Sequence, residues 1–139
     1  MNTSNILNYA LKPHFTSDLV QRMREEPYGL CIDGSNDTGR EKMYPLCVKI
    51  FDVNGVSSEL LNMCVSDSST AEGIFNTMDT ELKSNNIDWM NCSGIGLDNT
   101  NANVGSRNSV LTRVNSENPS VHLSGCPAHV VHNTASKAS

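Results

Sequence analysis

Apolar residues enter this chain in short bursts separated by polar turns, and the bursts have two different periods. Residues 28–32 form a nearly continuous apolar run that stops at Asp33, which predicts a central strand. The next segment, Gly34-Ser35-Asn36-Asp37-Thr38-Gly39, is all turn chemistry. Over residues 43–51 the period is two: Tyr44, Leu46, Val48 and Ile50 alternate with Pro45, Cys47 and Lys49, so a second strand is predicted. Pro45 lacks a donor N–H and belongs near the strand start or on a free edge. Asp52-Val53-Asn54-Gly55 carries the Asn-Gly hairpin signal, and a third strand follows with Leu60, Leu61, Met63 and Val65 as its apolar residues.

The period then changes to that of a helix. Ala71, Ile74, Phe75, Met78 and Leu82 recur at helical spacing behind a capping box, Ser69-Thr70-Ala71-Glu72, which predicts a helix over 70–85. Trp89 is expected to pack beneath it. Residues 92–97 read as a buried strand ending at Asp98. A helix is expected from about 101 to 114, a last short strand over 121–124, and a further helix from 127 that frays toward 138. Upstream, Pro27 closes a helix opened by Thr16 or Ser17 as N-cap, with Leu19, Val20 and Met23 as its apolar side. Residues 1–15 read as an arm or loose helix.

Three strands joined by hairpins and then alternating helix and strand define an α/β fold with a mixed sheet. Right-handed crossovers would fold the late helices back on it. An aspartate at the end of a buried strand is costly unless it binds something. If the strand ending at Asp98 lies beside and parallel to that of Asp33, both carboxylates emerge at one edge of the sheet, where open α/β sheets place ligands. The bland alternatives are that Asp33 caps the Gly34-Ser35 turn and that Asp98 caps the next helix. Asp37 reads as solvated loop.

Length and charge narrow the picture. The 139 residues suffice for one domain or part of one, and no linker or repeat divides them. A formal net charge of -5 argues against a free-standing nucleic-acid binder, and Lys12, Arg22, Arg40, Lys42 and Arg107 are scattered like solvated surface. The odd count of five cysteines without a C-x-x-C fits a reducing, intracellular compartment. Four of them, Cys31, Cys47, Cys64 and Cys92, lie in apolar runs and read as small buried hydrophobes. Met1-Asn2-Thr3-Ser4 opens no secretory signal, and no run approaches the roughly 20 apolar residues of a membrane span. His14 and His122 carry no usable signal.

Five blocks, in order over residues 12–138, resemble one known family. They are His14-Phe15-Thr16, the run Tyr28-Gly29-Leu30-Cys31-Ile32-Asp33-Gly34-Ser35-Asn36-Asp37, Thr70-Ala71-Glu72-Gly73-Ile74-Phe75, Gly96-Leu97-Asp98-Asn99-Thr100-Asn101-Ala102-Asn103-Val104-Gly105, and Cys126-Pro127-Ala128-His129. Together they look like the hAT (hobo–Activator type) transposases and the vertebrate proteins derived from them. The resemblance implies a ribonuclease-H-like fold in which three carboxylates hold two divalent metals, Mg²⁺ or Mn²⁺, for DNA cleavage and strand transfer. Asp33 matches the first catalytic aspartate and metal ligand, and Asp98 the second. Cys126 and His129 match a C-x-x-H motif beside the DNA. A nuclear location is implied as well.

The chain also departs from the pattern. The family's third carboxylate, a glutamate beyond a large helical insertion, has no counterpart, and neither do the upstream zinc finger and the C-terminal dimerisation region. Asn99 and Asn101 partly replace the usual small residues. Residues 16–139 are therefore expected to be a partial ribonuclease-H-like domain: a fragment or domesticated remnant, not catalytic alone, with DNA a partner by descent and only weakly so for an acidic chain. The alternative is a non-catalytic interaction module that keeps the fold and binds a protein partner. Cys126, His129 and His132 recur every third residue, but zinc would want a fourth ligand, so no zinc site is expected. No membrane partner is expected.

Overall fold

Leu30 and Ile32 point one way from their strand and Gly29 and Cys31 the other, and that alternation sets the architecture. The computed structural model describes residues 11–33, 42–66, 68–98, 100–125 and 134–136. Helix α1 (Lys12–Glu25) leads into β1 (Tyr28–Ile32), β2 (Lys42–Asp52) and β3 (Gly55–Ser66). Helix α2 (Ala71–Ser84), a 3-10 turn (Trp89–Asn91), β4 (Cys92–Leu97), the short α3 (Asn101–Val104), α4 (Val110–Glu117) and β5 (His122–Gly125) complete the order. The five strands make one mixed sheet in the order β3-β2-β1-β4-β5. β2 runs antiparallel to β1 and β3, while β4 is parallel to β1 and β5 parallel to β4. The α/β class with a mixed sheet is thus present.

All the larger helices serve one face. Leu19, Val20 and Met23 of α1, Ile74, Phe75, Met78 and Leu82 of α2, and Val110 and Val114 of α4 join Leu30, Ile32, Leu46, Val48, Ile50, Ile95 and Leu97 in a single buried cluster. Trp89 stacks on Phe75 with ring centroids 5.8 Å apart and donates from Nε1 to Asp79 at 3.0 Å, as its expected place beneath α2 requires. Arg22 joins α1 to the β2–β3 hairpin through Asp52 at 3.1 Å and Glu59 at 3.4 Å, so it is a brace and not idle surface. The hairpin closes at the Asp52↔Gly55 pair, with Gly55 at φ 123° and Asp52 accepting from the Asn54 amide at 2.7 Å. Pro45 lies one position outside the β1 register, whose last pair is Ile32↔Leu46.

Several boundaries differ from expectation. α1 begins at Lys12, with Pro13 in the first turn, so Thr16 and Ser17 are interior. Their hydroxyls bond back to the carbonyls of Lys12 and His14, a use of Thr and Ser that competes with capping. The N-cap of α2 is Thr70, which accepts from the Gly73 amide at 3.1 Å, so the third helical residue is a glycine and the expected box with Glu72 does not form. The helix expected over 101–114 is two helices. Gly105 ends the first, and Ser109 starts the second with a true capping box to Thr112. In β3 the register slips beside Leu46/Cys47: Leu46 faces Asn62 and Cys47 faces Leu60. Leu61 is the extra residue of this bulge and turns into the core with Cys64, whereas Leu60, Met63 and Val65 are exposed.

Two expected results arise here. A Cβ on Gly73 would come within 2.6 Å of the Ser68 Cβ, so Gly73→Ala should lower the unfolding free energy in urea by about 1–2 kcal/mol although alanine favours helices. Burial pushes the Cys92 and Cys64 thiols up from about 9 to about 11. The folded state therefore favours the protonated thiol. That contribution is whole below about pH 9 and is lost as pH rises through about 11. Thermal melts should show Tm falling between those values, with a shallower fall for Cys92→Ala relative to its own Tm at neutral pH.

Candidate functional site

The face of the sheet opposite the helices is crossed by two rows of aligned residues. Ser58, Lys49, Gly29, Gly94 and His122 are successive register partners from β3 to β5. Leu60, Cys47, Cys31, Gly96 and Ser124 form the next row. Three glycines in the middle of these rows remove the side chains that would fill the face. A cavity of about 560 Å³ results, floored by Gly29, Gly94 and Gly96 and flanked by Lys49, Phe51 and His122. Strand-interior glycines of this kind mark places where another group approaches the backbone closely. A Cβ on Gly94 would meet the His122 carbonyl at 3.3 Å, and one on Gly96 the Cys31 sulfur at 3.3 Å.

Asp33 and Asp98 stand at the end of this trough. The parallel pairing places Cys31 opposite Gly96, and each aspartate follows two residues later, just past the C-terminal end of its strand. Both line the cavity, Asp33 exposed and Asp98 half-buried. The structure thus brings together the two carboxylates that the strand-end pattern singled out. Asp98 also holds the loop that follows it, since its Oδ1 accepts from the Thr100 amide at 3.0 Å and from Asn103 Nδ2 at 2.6 Å. Asp98 therefore closes an Asx turn ahead of α3 while lining the cavity; the helix itself is capped by Thr100, so the expectation that Asp98 caps it is not met. Asn103 is 8 % exposed and fixes the carboxylate from the first turn of α3.

Two carboxylates at one rim are hard oxygen donors and suit Mg²⁺ or Mn²⁺ better than a soft metal. A divalent ion there would still need water or phosphate oxygens to complete its shell. Among the described residues no group of three His, Cys, Asp or Glu side chains gathers to hold a metal. Cys126, His129 and His132 lie outside the described residues, as do Asp37 and Arg40. Cys64 and Cys92 are buried as expected, but Cys31 and Cys47 are half-exposed on the face opposite the core. The change follows from strand alternation: neighbours of a core-facing residue must face the other way.

Sequence reasoning missed the walls of the cavity. Lys49 counted only as a polar strand position and His122 carried no signal, yet both line it. The available sign was Gly94-x-Gly96 inside a strand, in phase with Gly29 and Cys31 on the period-two pattern. No helix among the described residues is long and apolar enough to cross a membrane. No family model and no curated protein matches the chain. What fold and site define, among the described residues, is an α/β domain with a five-stranded mixed sheet, its helices of residues 12–117 packed on one face, and an acid-tipped, glycine-floored trough on the other.

Proposed function

We propose that this domain is a remnant of a hAT-type DNA transposase, with a ribonuclease-H-like sheet and two of the carboxylates that once served strand cleavage. The observation that carries the reading is the exit of Asp33 and Asp98 from adjacent parallel strands at one edge of the sheet, both onto one cavity. Three antiparallel strands followed by two parallel additions accord with that fold. In this reading Asp33 and Asp98 hold a divalent ion, which when bound would polarise a phosphodiester and activate the attacking oxygen. Asn103 orients Asp98. No third acidic side chain joins them among the described residues. Its acidic charge leaves DNA a weak partner for this chain alone.

Mn²⁺ calorimetry on the wild-type chain and on the Asp33→Ala, Asp98→Ala double variant tests the proposal. Saturable binding that vanishes in a folded double variant is expected. Binding of equal strength in both would refute it. A second reading, a non-catalytic interaction module, is favoured by the exposed Met43, Phe51, Val56, Leu60, Met63 and Val65 along β2 and β3. That reading takes a protein partner and needs neither aspartate, so loss of both would leave partner binding intact.

A further inference from the structure

Cys31 and Cys47 are direct register partners across the antiparallel β1–β2 pair, on the same face of the sheet, opposite the buried core. Residues opposed in this way have Cα atoms roughly 4.5–5.5 Å apart, and a disulfide spans roughly 4.4–6.8 Å between Cα atoms. Their Cβ atoms lie at roughly 4.5–5.5 Å, slightly more than the roughly 3.5–4.5 Å that a disulfide prefers. Small local movement closes that gap, and the sheet offers it in two places. Cys47 sits at the β2–β3 bulge, where the ladder is interrupted. The Cys31 sulfur lies toward Gly96, its other neighbour in the row, so a χ1 rotation carries it to Cys47, and Gly96 itself has no side chain to oppose that turn. Cys31 also lines the cavity, which gives a small oxidant a route to it. Cys64 and Cys92 are buried and have no such opposed cysteine in the register.

We propose that Cys31 and Cys47 form an oxidation site, a cross-strand dithiol that a peroxide converts to a disulfide. One thiolate attacks the peroxide: an S–O bond forms, the O–O bond breaks, and hydroxide leaves. The second thiolate attacks the resulting sulfenic sulfur; the S–S bond forms, the S–O bond breaks, and a second hydroxide leaves. The two thiol protons convert both hydroxides to water. The sulfurs together lose two electrons and hydrogen peroxide gains them, so one peroxide yields one disulfide and two waters. The bridge closes the loop between residues 31 and 47 and ties down the chain two residues before Asp33.

The test is hydrogen peroxide treatment of the full chain in small molar excess, alkylation of the remaining thiols, and tryptic peptide mass spectrometry without reductant. The expected product is peptide 25–40 linked to peptide 43–49, lighter by ~2 Da than the two together and separated again by dithiothreitol. The oxidised chain should run as a monomer and melt roughly 10 °C higher, because a closed loop of this size restricts the unfolded state. Cys31→Ser or Cys47→Ser, whichever folds, should show neither the link nor the shift. Peptides 25–40 and 43–49 recovered separately, as alkylated thiols, as higher sulfur acids or joined to another cysteine, would overturn the proposal.

Discussion

Asn118→Ala should lower the unfolding free energy by about 3 kcal/mol, more than a typical surface change can. Asn118 is 2 % exposed and joins the end of α4 to the start of β4. Its Nδ2 donates to the carbonyls of Trp89 and Cys92, each at 3.0 Å, and its Oδ1 accepts from the Ser120 amide at 2.9 Å. That set of partners fixes which end of the amide is which. Alanine removes three hydrogen bonds and leaves two buried carbonyls without this donor. Asn118→Asp should be at least as damaging, since a carboxylate would then face two carbonyl oxygens. Asn108 is the control: it is exposed, its Oδ1 accepts only from Arg113 at 3.1 Å among the described residues, and Asn108→Ala should stay within about 0.5 kcal/mol of wild type. Urea unfolding of the three variants measures both. An Asn118→Ala midpoint equal to wild type would mean that the 3-10 turn and α4 are not joined in this way.

The second large effect separates the two aspartates. Each should be needed for the divalent ion, so Asp33→Ala and Asp98→Ala should each weaken Mn²⁺ binding by about tenfold or more. Their costs to the fold should differ. Asp33 is exposed, and its loss should change stability by less than about 0.5 kcal/mol. Asp98 also caps the turn into α3 and receives Asn103, so Asp98→Ala should cost about 1–2 kcal/mol. Asp98→Asn keeps an acceptor for Thr100 and should recover much of that stability while still losing the metal. Calorimetry and urea unfolding on the same preparations test both halves. Equal metal affinity in Asp33→Ala and wild type would remove Asp33 from the site.

Much of the fold was legible because its signals are local. The alternation from Tyr44 to Ile50, the Asn54-Gly55 turn and the spacing of Ala71, Ile74, Phe75, Met78 and Leu82 each use a few adjacent residues. Asp33 and Asp98 were visible for the same reason: each is a charge at the point where an apolar run stops. The break at Gly105 was hidden because Ala102, Val110 and Val114 fit one helical stripe across it, and the Ser109–Thr112 box outweighs that stripe locally. The bulge at Leu61 was hidden because register is a property of two strands and not of one. Asn118 gave no sign at all, since the carbonyls that its Nδ2 reaches lie 26 to 29 residues away along the chain. The trough was half legible: its glycines have a period, but only the pairing of β4 with β1 and β5 brings Lys49 and His122 to its sides.

The central claim is that two strand ends converge on one divalent ion, and paramagnetic broadening by Mn²⁺ in amide NMR spectra tests it most directly. Trace Mn²⁺ should broaden the amides of Ile32, Asp33, Leu97 and Asp98 together and at the same ion concentration, while those of Asp79 and Glu72 on α2 stay sharp. Broadening confined to one strand end, or spread over the acidic surface in proportion to exposure, would contradict the account.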